Sequence, residues 1–205
     1  MITKRDRKII EFIEQQKFIT IRQCADIFFT KNESRYDGAR FRLKAIEKTG
    51  NYIKHIFNAE TKEKIYVPLD SKDKKIKKHR LLLVDYIAAL TRMGAEVIRA
   101  QTTPKFGDYE PDALIIFKYE SRIYYQLLEI ELRHDFVDVN RFKLVTGIIQ
   151  KAFKGVLPIL VIIQDTKKDY EKTNTTLLKI AQLDTKLNNV HKVIEIANRE
   201  KVINR

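Results

Sequence analysis

The chain has 205 residues, is 44% hydrophobic and carries a formal net charge of +13 at pH 7. This length allows one large domain or two small ones, and the apolar content is sufficient to fill a core without metals or disulfides. The single cysteine, Cys24, excludes an internal disulfide, and no Cys/His cluster has zinc spacing. These features predict a protein of the reducing cytoplasm.

Hydropathy and charge distinguish two classes of partner, membranes and polyanions. The opening MITKRDRKIIEF is charged from its first turn, and no run of about 18 apolar residues occurs later. We therefore expect neither secretion nor insertion into a membrane. Residues 1–80 hold 21 Lys and Arg against 11 Asp and Glu, so a polyanion should bind the first half of the chain.

Two short helices are predicted at the N-terminus. Apolar residues recurring on one face, among them Ile9 and Ile13, predict a first helix over roughly Lys4–Gln16. Thr20 is placed to cap a second helix that turns Cys24 inward, and the sequence ITIRQCADIF is typical of the helix that opens a helix-turn-helix.

The third predicted helix combines an apolar stripe with a basic free surface. Thr30 and Glu33 have the spacing of a capping box, and Gly50 is placed to end the helix. The stripe consists of Ala39, Leu43 and Ile46, with Phe41 at its margin. The residues left for the free surface are Arg35, Tyr36, Arg40, Arg42 and Lys44. Such a helix suits the major groove of DNA, where cations contact phosphates and Arg side chains contact guanine edges.

A β-hairpin is predicted after the third helix, because Tyr52–Phe57 and Lys64–Pro68 are β-type runs around a polar turn. A hairpin at this place is the wing of a winged helix. The lysines expected against the DNA backbone are Lys54, Lys62 and Lys64. Residues 1–70 are therefore predicted to be a winged helix-turn-helix that binds double-stranded DNA. Two alternatives stay open, a small helical domain with merely solvated charges and a protein-docking module.

The lysine-dense stretch Ser71–Arg80 has no core-forming residues and predicts a boundary between two domains. One interpretation is a basic linker with no function beyond solubility. The other is a second strip of phosphate contacts. Both interpretations place the start of the second domain near residue 81.

Residues 81–205 are predicted to form an α/β domain with a mixed sheet. A turn at Glu120-Ser121 separates two strand-like runs, and the apolar run Leu157–Ile163 suits a strand buried on both faces. Helices are predicted from His79 to Gly94, around Val139–Lys154 and over Asp169–Leu187, and VHKVIEIA is predicted as a terminal strand. This order of elements implies a mixed sheet flanked by helices.

Three carboxylates fall in the otherwise apolar hairpin PDALIIFKYESRIYYQLLEIELR. If Glu120 and Ser121 form the turn, paired residues have numbers that sum to 241, so Asp112 lies opposite Glu129. Their Cβ atoms are then about 5 Å apart, and Glu131 shares their face of the sheet. Three negative charges this close need a cation, raised pKa values or exposure to solvent.

Two interpretations of these acids stay open. Mg²⁺ prefers carboxylate and water oxygens, and its binding here would make Asp112, Glu129 and Glu131 metal ligands. Alternatively, Asp112 caps the chain after Pro111, and the two glutamates form ion pairs with nearby Arg and Lys side chains.

The motifs of the second half resemble a known superfamily. Pro111-Asp112, followed after about seventeen residues by Glu129-Ile130-Glu131 inside an α-β-β-α-β order, resembles the PD-(D/E)xK nucleases. Together with the predicted winged helix, the segments HRLLLVDYIAAL, PDALI and LLEIELR resemble the replication-relaxation family of plasmids and other mobile elements. The resemblance covers nearly the whole chain. It implies binding of double-stranded DNA and a role in replication or maintenance of the element.

The nuclease superfamily implies that Asp112 and Glu129 bind a metal and that a lysine two residues after Glu129 assists the attacking water. This chain has Glu131 at that place, as some members of the superfamily do. Lys143, on the following predicted helix, is the candidate for a relocated lysine, and Asp85 stands where some members place an extra acid. Lys143 is alternatively a solvated helix lysine.

We therefore expect a DNA-binding protein of a plasmid, phage or other mobile element, acting in its replication, maintenance or regulation, with a nuclease-like domain that is not catalytic. The alternative is a Mg²⁺-dependent endonuclease or nickase using Asp112, Glu129, Glu131 and Lys143. Winged-helix proteins often dimerise, but the chain shows neither a heptad repeat nor an exposed apolar seam. A homodimer stays one of the open oligomeric states.

Overall fold

The structure, a computed structural model, describes residues 1–31, 34–58, 62–132, 137–166, 168–174 and 176–199. These residues form a mixed α/β arrangement of helices and two sheets. The chain divides into two compact units, Met1–Arg92 (unit 1) and Met93–Arg205 (unit 2). None of the described helices combines the length and the apolar character needed to cross a lipid bilayer.

Unit 1 contains four of the described helices, and the first two begin at capping boxes. The hydroxyl of Thr3 accepts a hydrogen bond from the backbone N–H of Asp6, and the hydroxyl of Thr20 accepts one from that of Gln23. The Asp6 and Gln23 side chains accept in return from the backbone of the two threonines. The predicted first helix and the predicted cap are confirmed. The helices are α1 (Lys4–Gln16), α2 (Ile21–Phe28), α3 (Arg35–Glu47) and α4 (Lys78–Arg92).

Helix α3 begins later than the capping pattern indicates. It starts after Ser34, whose side chain makes no capping hydrogen bond, and Glu33 of the predicted capping box lies outside the described residues. The predicted apolar stripe is confirmed by the buried residues Ala39, Leu43 and Ile46. Gly50 follows the helix with φ of +71°, a left-handed conformation that glycine adopts without a steric penalty.

A three-stranded antiparallel sheet completes unit 1. Its strands are β1 (Ile19–Thr20), β2 (Ile53–Asn58) and β3 (Glu63–Pro68). The order is β1-β3-β2, and β2 and β3 form the predicted hairpin, with Ile53 opposite Pro68 and Phe57 opposite Lys64. Ile53 and Tyr66 extend the apolar core that α1, α2 and α3 form.

Helix α4 is tied to α2 by polar contacts. The side-chain amide of Gln23 donates to the Asp85 carboxylate at 2.8 Å, and Arg92 donates to the buried Asp26 at 2.5 Å. Unit 1 therefore includes α4, which the sequence analysis assigns to the second domain. The domain boundary at residues 71–80 stays a prediction.

Unit 2 is built on a five-stranded mixed sheet. Its strands are β4 (Glu96–Thr102), β5 (Ala113–Tyr119), β6 (Arg122–Glu131), β7 (Ile159–Gln164) and β8 (Ile180–Asp184). They lie in the sheet in chain order, with β4, β5 and β6 antiparallel and with β7 and β8 parallel to β6. The described helices of this unit are α5 (Arg141–Ala152), α6 (Tyr170–Thr173) and α7 (Lys192–Asn198).

The hairpin of β5 and β6 has the predicted register. Tyr119 lies opposite Arg122 and Ala113 opposite Leu128, so paired numbers sum to 241. Glu120, the first residue of the two-residue turn, has φ of +54°, as the tight turns of hairpins require. Every residue of β7 is buried, which confirms the predicted strand with two covered faces.

The predicted helix Asp169–Leu187 is wrong, because only the single turn α6 is helical and β8 follows it. Side chains after this turn bond to the backbone instead of allowing the helix to continue. The N–H of Thr176 donates to the Asn174 side chain at 2.9 Å, and the N–H of Leu178 donates to the Thr176 hydroxyl at 3.1 Å. The chain then enters β8, which pairs with β7.

The predicted terminal strand VHKVIEIA is also wrong, because this segment forms α7. Its buried residues are Val193 and Ile196, which are three positions apart and share one helix face. In a strand the same two side chains would point to opposite faces, so only one of them would be buried against the sheet.

Removing the cap of α2 should lower stability more than the same kind of change at the start of α3. We expect Thr20→Ala to reduce the free energy of unfolding by about 1 kcal/mol, because the bond to the Gln23 N–H is lost. Ser34→Ala removes a side chain without a capping bond and should cost less than about 0.5 kcal/mol. Urea unfolding followed by circular dichroism measures both, and equal losses would contradict the capping assignment.

Candidate functional site

The first candidate site is the exposed side of α3 and of its C-terminal cap. With the apolar stripe buried in the core of unit 1, the opposite side of the helix is open to solvent. We call this surface the basic face, and it consists of Arg40, Phe41, Lys44 and Lys48. Three cations and one aromatic ring therefore lie side by side on a rigid helix.

The cations of the basic face differ in their local partners. Arg40 forms an ion pair with Asp37 at 3.1 Å, and its guanidinium lies 5.3 Å from the centre of the Phe41 ring. Lys44 is exposed and has no ion pair with any described residue. Tyr36, another predicted contact, is half exposed near the start of the helix. The basic face thus offers at least one ammonium group to an external anion.

Arg42 binds a buried acid of α1. Its Nε donates to Asp6 Oδ1 at 2.9 Å, and its Nη2 donates to Asp6 Oδ2. Burial raises the pKa of Asp6, but hydrogen bonds from Arg42 and Thr3 outweigh this effect and hold the pKa below its usual value. Arg42 is therefore a structural cation between α1 and α3, although the sequence analysis places it among the DNA contacts.

Arg35 also contacts an acid of a neighbouring helix. Its Nη1 lies 3.5 Å from Asp26 Oδ1, and Arg92 of α4 binds the other oxygen of the same carboxylate. Asp26 is buried, so the two guanidinium groups compensate a charge that has left water. This ion-pair cluster connects α2, α3 and α4.

The hairpin divides its predicted DNA contacts between two faces. Alternation along β2 and β3 places Lys64 on the face of His55 and Phe57, whereas Lys54 lies on the opposite face. Lys62 and Lys64 are exposed, and Lys54 is half-buried. The side chain of His55 contacts Glu47 at 2.5 Å, which places this face of the hairpin beside the end of α3.

The second candidate site is the acidic row of unit 2, which consists of Asp112, Glu129 and Glu131. The register of β5 and β6 ends with Ala113 opposite Leu128, and the side chain of the preceding residue, Asp112, accepts a hydrogen bond at Oδ2 from the N–H of Ile130 at 2.7 Å. Glu129 and Glu131 alternate with Ile130 along β6 and share the sheet face of Leu127, which belongs to the main apolar core of this unit. The acids therefore lie beside a packed core.

Glu131 is 0% exposed and is held by hydroxyl groups. Thr166 donates to its Oε1 at 2.7 Å, and the phenol of Tyr170 donates to its Oε2. The Tyr170 oxygen in turn accepts from the N–H of Val137 at 3.1 Å. A buried carboxylate needs such donors, because burial without hydrogen bonds is costly.

Glu129 has a tyrosine partner of the same kind. The phenol of Tyr109 donates to Glu129 Oε1, and the Tyr109 ring packs on Phe142 with 4.3 Å between ring centres. Burial and the neighbouring carboxylates raise the pKa of Tyr109 and of Tyr170 well above the usual value. Both phenols therefore keep their protons at neutral pH and act as donors.

The oxygens of the acidic row already accept hydrogen bonds from neighbouring groups. Across the described ranges, no group of three or more His, Cys, Asp or Glu side chains is placed to hold a metal ion. Oxygens of Asp112, Glu129 and Glu131 accept instead from a backbone N–H, two phenols and a threonine hydroxyl. A metal ligand set needs free lone pairs directed at one point, and a Mg²⁺ site at the acidic row stays a prediction.

The nuclease interpretation names two further residues, Lys143 and Asp85. Lys143 is on the exposed side of α5, and within the described residues no ion pair joins it to the three acids. Asp85 belongs to unit 1, where burial raises its pKa although Gln23 donates to it. Asp112 accepts a hydrogen bond from the residue that follows Glu129, whereas the direct pairing of Asp112 with Glu129 and the role of Lys143 stay predictions.

Sequence reasoning missed the partners of every buried acid. Tyr109 and Tyr170 are separated from their glutamates by 20 and 39 positions, and Arg42 is 36 positions from Asp6. No local spacing links such pairs. Phe41 was placed at the margin of the apolar stripe, whereas its side chain is exposed; its position between two cations was the signal.

Comparison of the chain with models of known protein families gives no match, and no curated protein matches its sequence. The fold therefore assigns the chain to a general structural class and not to a family. The chain is a mixed α/β protein with two sheets, one of them five-stranded. The resemblance to the replication-relaxation family stays a prediction.

Arg42→Ala should destabilise unit 1, because it leaves the Asp6 carboxylate buried without its cation. We expect the free energy of unfolding to fall on the order of 2 kcal/mol at neutral pH. Lys44→Ala, two positions away and exposed, should change it by less than about 0.5 kcal/mol.

The contact between Arg42 and Asp6 also makes the stability of unit 1 depend on pH. The folded-state pKa of Asp6 is lowered, so its contribution is complete above the unfolded pKa of about 3.9 and is lost as the pH falls through the folded pKa. Arg42→Ala should remove this loss of stability in acid. Urea unfolding at pH 7 and below pH 4 measures the difference, and parallel pH curves for both proteins would refute the assignment.

Tyr170→Phe should destabilise unit 2 by about 2 kcal/mol, because the buried Glu131 carboxylate loses a donor. Tyr119→Phe is the matched control, since its ring is half-buried and its hydroxyl makes no hydrogen bond with a described residue. Thermal unfolding of the two variants measures this effect. Equal melting temperatures would show that the Tyr170 hydroxyl is dispensable.

Proposed function

We propose that the protein binds double-stranded DNA through the basic face of α3 and the hairpin of β2 and β3. The observation that carries the proposal is the geometry of α3, which is fixed by its buried stripe and exposes Arg40, Lys44 and Lys48 on its other side. Cations arranged along an exposed helix neutralise phosphates and release counterions.

The order of elements in unit 1 supports this proposal. Three helices are followed by a two-stranded hairpin, and β1 adds a short third strand, which is the element order of a winged helix. Lys62 and Lys64 extend the positive surface along the hairpin. The concentration of formal positive charge in residues 1–80 favours a polyanionic partner for this unit.

For unit 2 we propose a nuclease-like scaffold that is not catalytic. The antiparallel strands β4, β5 and β6, with α5 leading to the parallel strand β7, follow the order expected for such a domain. The phenols that bind Glu129 and Glu131 favour a structural role for the acids. By its resemblance, the protein acts in replication, maintenance or regulation of a plasmid, phage or other mobile element.

The DNA-binding proposal predicts different effects for matched lysine changes. We expect Lys44→Ala to weaken binding to duplex DNA and to reduce the slope of log affinity against log salt by about one unit. Lys8→Ala, a change at an exposed lysine of α1, should leave that slope unaltered. Fluorescence anisotropy at several salt concentrations measures both proteins. An identical slope in wild type and Lys44→Ala would remove the basic face from the interface.

The alternative, a Mg²⁺-dependent endonuclease or nickase, is favoured by the contact of Asp112 with Ile130, the residue that follows Glu129. It is tested by incubating wild type and Asp112→Ala with supercoiled plasmid and Mg²⁺ or Mn²⁺, following gel retardation and nicking in the same samples. We expect retardation without nicking for both proteins. Nicking by wild type that disappears in Asp112→Ala would replace the non-catalytic proposal with a nuclease.

A further inference from the structure

Two large aromatic side chains of unit 1 lie exposed in basic surroundings. Phe41, at the centre of the basic face, is 63% exposed, and Phe57, on β2, is 61% exposed. Neither belongs to the apolar core of this unit. Single exposed apolar residues are common on proteins, so exposure alone does not indicate a binding role for these two rings. Their surroundings are more informative.

Each ring has a cation beside it. The Arg40 guanidinium lies 5.3 Å from the centre of the Phe41 ring, and Lys44 follows one helical turn after Arg40. Phe57 stands directly opposite Lys64 in the hairpin. A ring next to cations fits a partner that carries both flat bases and phosphates, because base stacking and phosphate neutralisation then occur at one place.

The position of Phe41 is well defined by the helix that carries it. Residues 39 and 43 on either side of it are completely buried, and Arg42 is held by Asp6. At Gly38 the helix approaches α2 so closely that an added Cβ would lie 3.1 Å from the Phe29 ring. A ring on such a fixed support loses little conformational freedom when it stacks, which favours binding.

We propose that Phe41 stacks on a base at an unpaired or opened step, so that the preferred ligand of unit 1 is duplex DNA with a locally unpaired segment. This inference rests on the proposed DNA-binding function and deepens it. Apolar side chains that insert at base steps require unstacking, which costs least where the bases are already unpaired. Phe57 offers a second stacking surface on the hairpin.

A protein partner fits this surface less well. A second copy docked through the same face would bring the cations Arg40, Lys44 and Lys48 towards their own counterparts, and like charges repel. A nucleic acid brings the opposite charge. Charge complementarity therefore selects DNA as the occupant of the basic face.

The test compares three labelled DNAs of one sequence: a paired duplex, the same duplex with three central unpaired bases, and the single strand. Fluorescence anisotropy gives the affinity of wild type, Phe41→Ala, Phe41→Leu and Phe41→Tyr for each. We expect wild type to prefer the duplex with unpaired bases over the paired duplex about tenfold. Phe41→Ala and Phe41→Leu should lose this preference and bind the duplex with unpaired bases no more tightly than the paired duplex, and Phe41→Tyr should retain it.

A second measurement reports stacking directly. With 2-aminopurine at an unpaired position, wild type should change the fluorescence of the probe, and Phe41→Leu should not. Because Phe41 is exposed, all variants should unfold at the temperature of wild type, which thermal unfolding checks.

The outcomes separate the two proposals. If wild type retains none of the three DNAs at moderate salt, the DNA-binding function itself fails. If wild type binds paired and unpaired DNA equally, or if Phe41→Leu keeps the preference and the 2-aminopurine signal, only the stacking inference is overturned. A wild-type dimer in size-exclusion chromatography that Phe41→Ala converts to a monomer would also overturn it, because the ring then serves contact between copies.

Discussion

The hydrogen bonds between Arg42 and Asp6 are the contact on which the exposed side of α3 depends. Asp6 is completely buried at the start of α1, where it also binds Thr3 and closes the capping box of that helix. One carboxylate therefore fixes the start of α1 and the middle of α3 together. Together with the buried stripe of α3, this shared anion holds the orientation in which Lys44 and Phe41 are exposed.

The acidic side chains of the two units are bound by different kinds of donor. In unit 1, Asp6 and Asp26 are matched by guanidinium groups from neighbouring helices, so the acids join elements through charge. In unit 2, Glu129 and Glu131 receive phenol hydroxyls, which are neutral donors. Neutral donors hold a carboxylate without cancelling its charge.

Local patterns in the sequence were sufficient to predict the elements that depend on interactions between residues close in the chain. The stripe of Ala39, Leu43 and Ile46 and the cap at Thr20 depend on spacings of a few residues, and both are confirmed. The register of β5 and β6 depends only on a two-residue turn. The helix predicted after Tyr170 was wrong because side chains there form hydrogen bonds with the backbone, and these bonds compete with the helix. The spacing of apolar residues gives no information about such bonds.

The candidate sites were less predictable, because their partners are distant in the chain. The predicted opposition of Asp112 and Glu129 depends only on the turn, whereas the phenols that bind the glutamates come from other parts of the chain. Likewise, the sequence counts Arg35 and Arg42 as cations of a free surface, and the fold uses both on acids of adjacent helices. Composition therefore overstates the charge that α3 presents to a partner.

The tight turn at Glu120 and Ser121 restricts how this protein can change length during its evolution. Strand faces alternate residue by residue, so one amino acid gained or lost between Asp112 and Glu129 would exchange the faces of everything that follows in β6. Glu129 and Glu131 would point away from the tyrosines that bind them, and the side chain of Ile130 would lie on the face that the two glutamates now occupy. Insertions and deletions in this hairpin should therefore be tolerated in pairs, or at the turn with a compensating bulge, and single-residue length variants should be rare among its relatives.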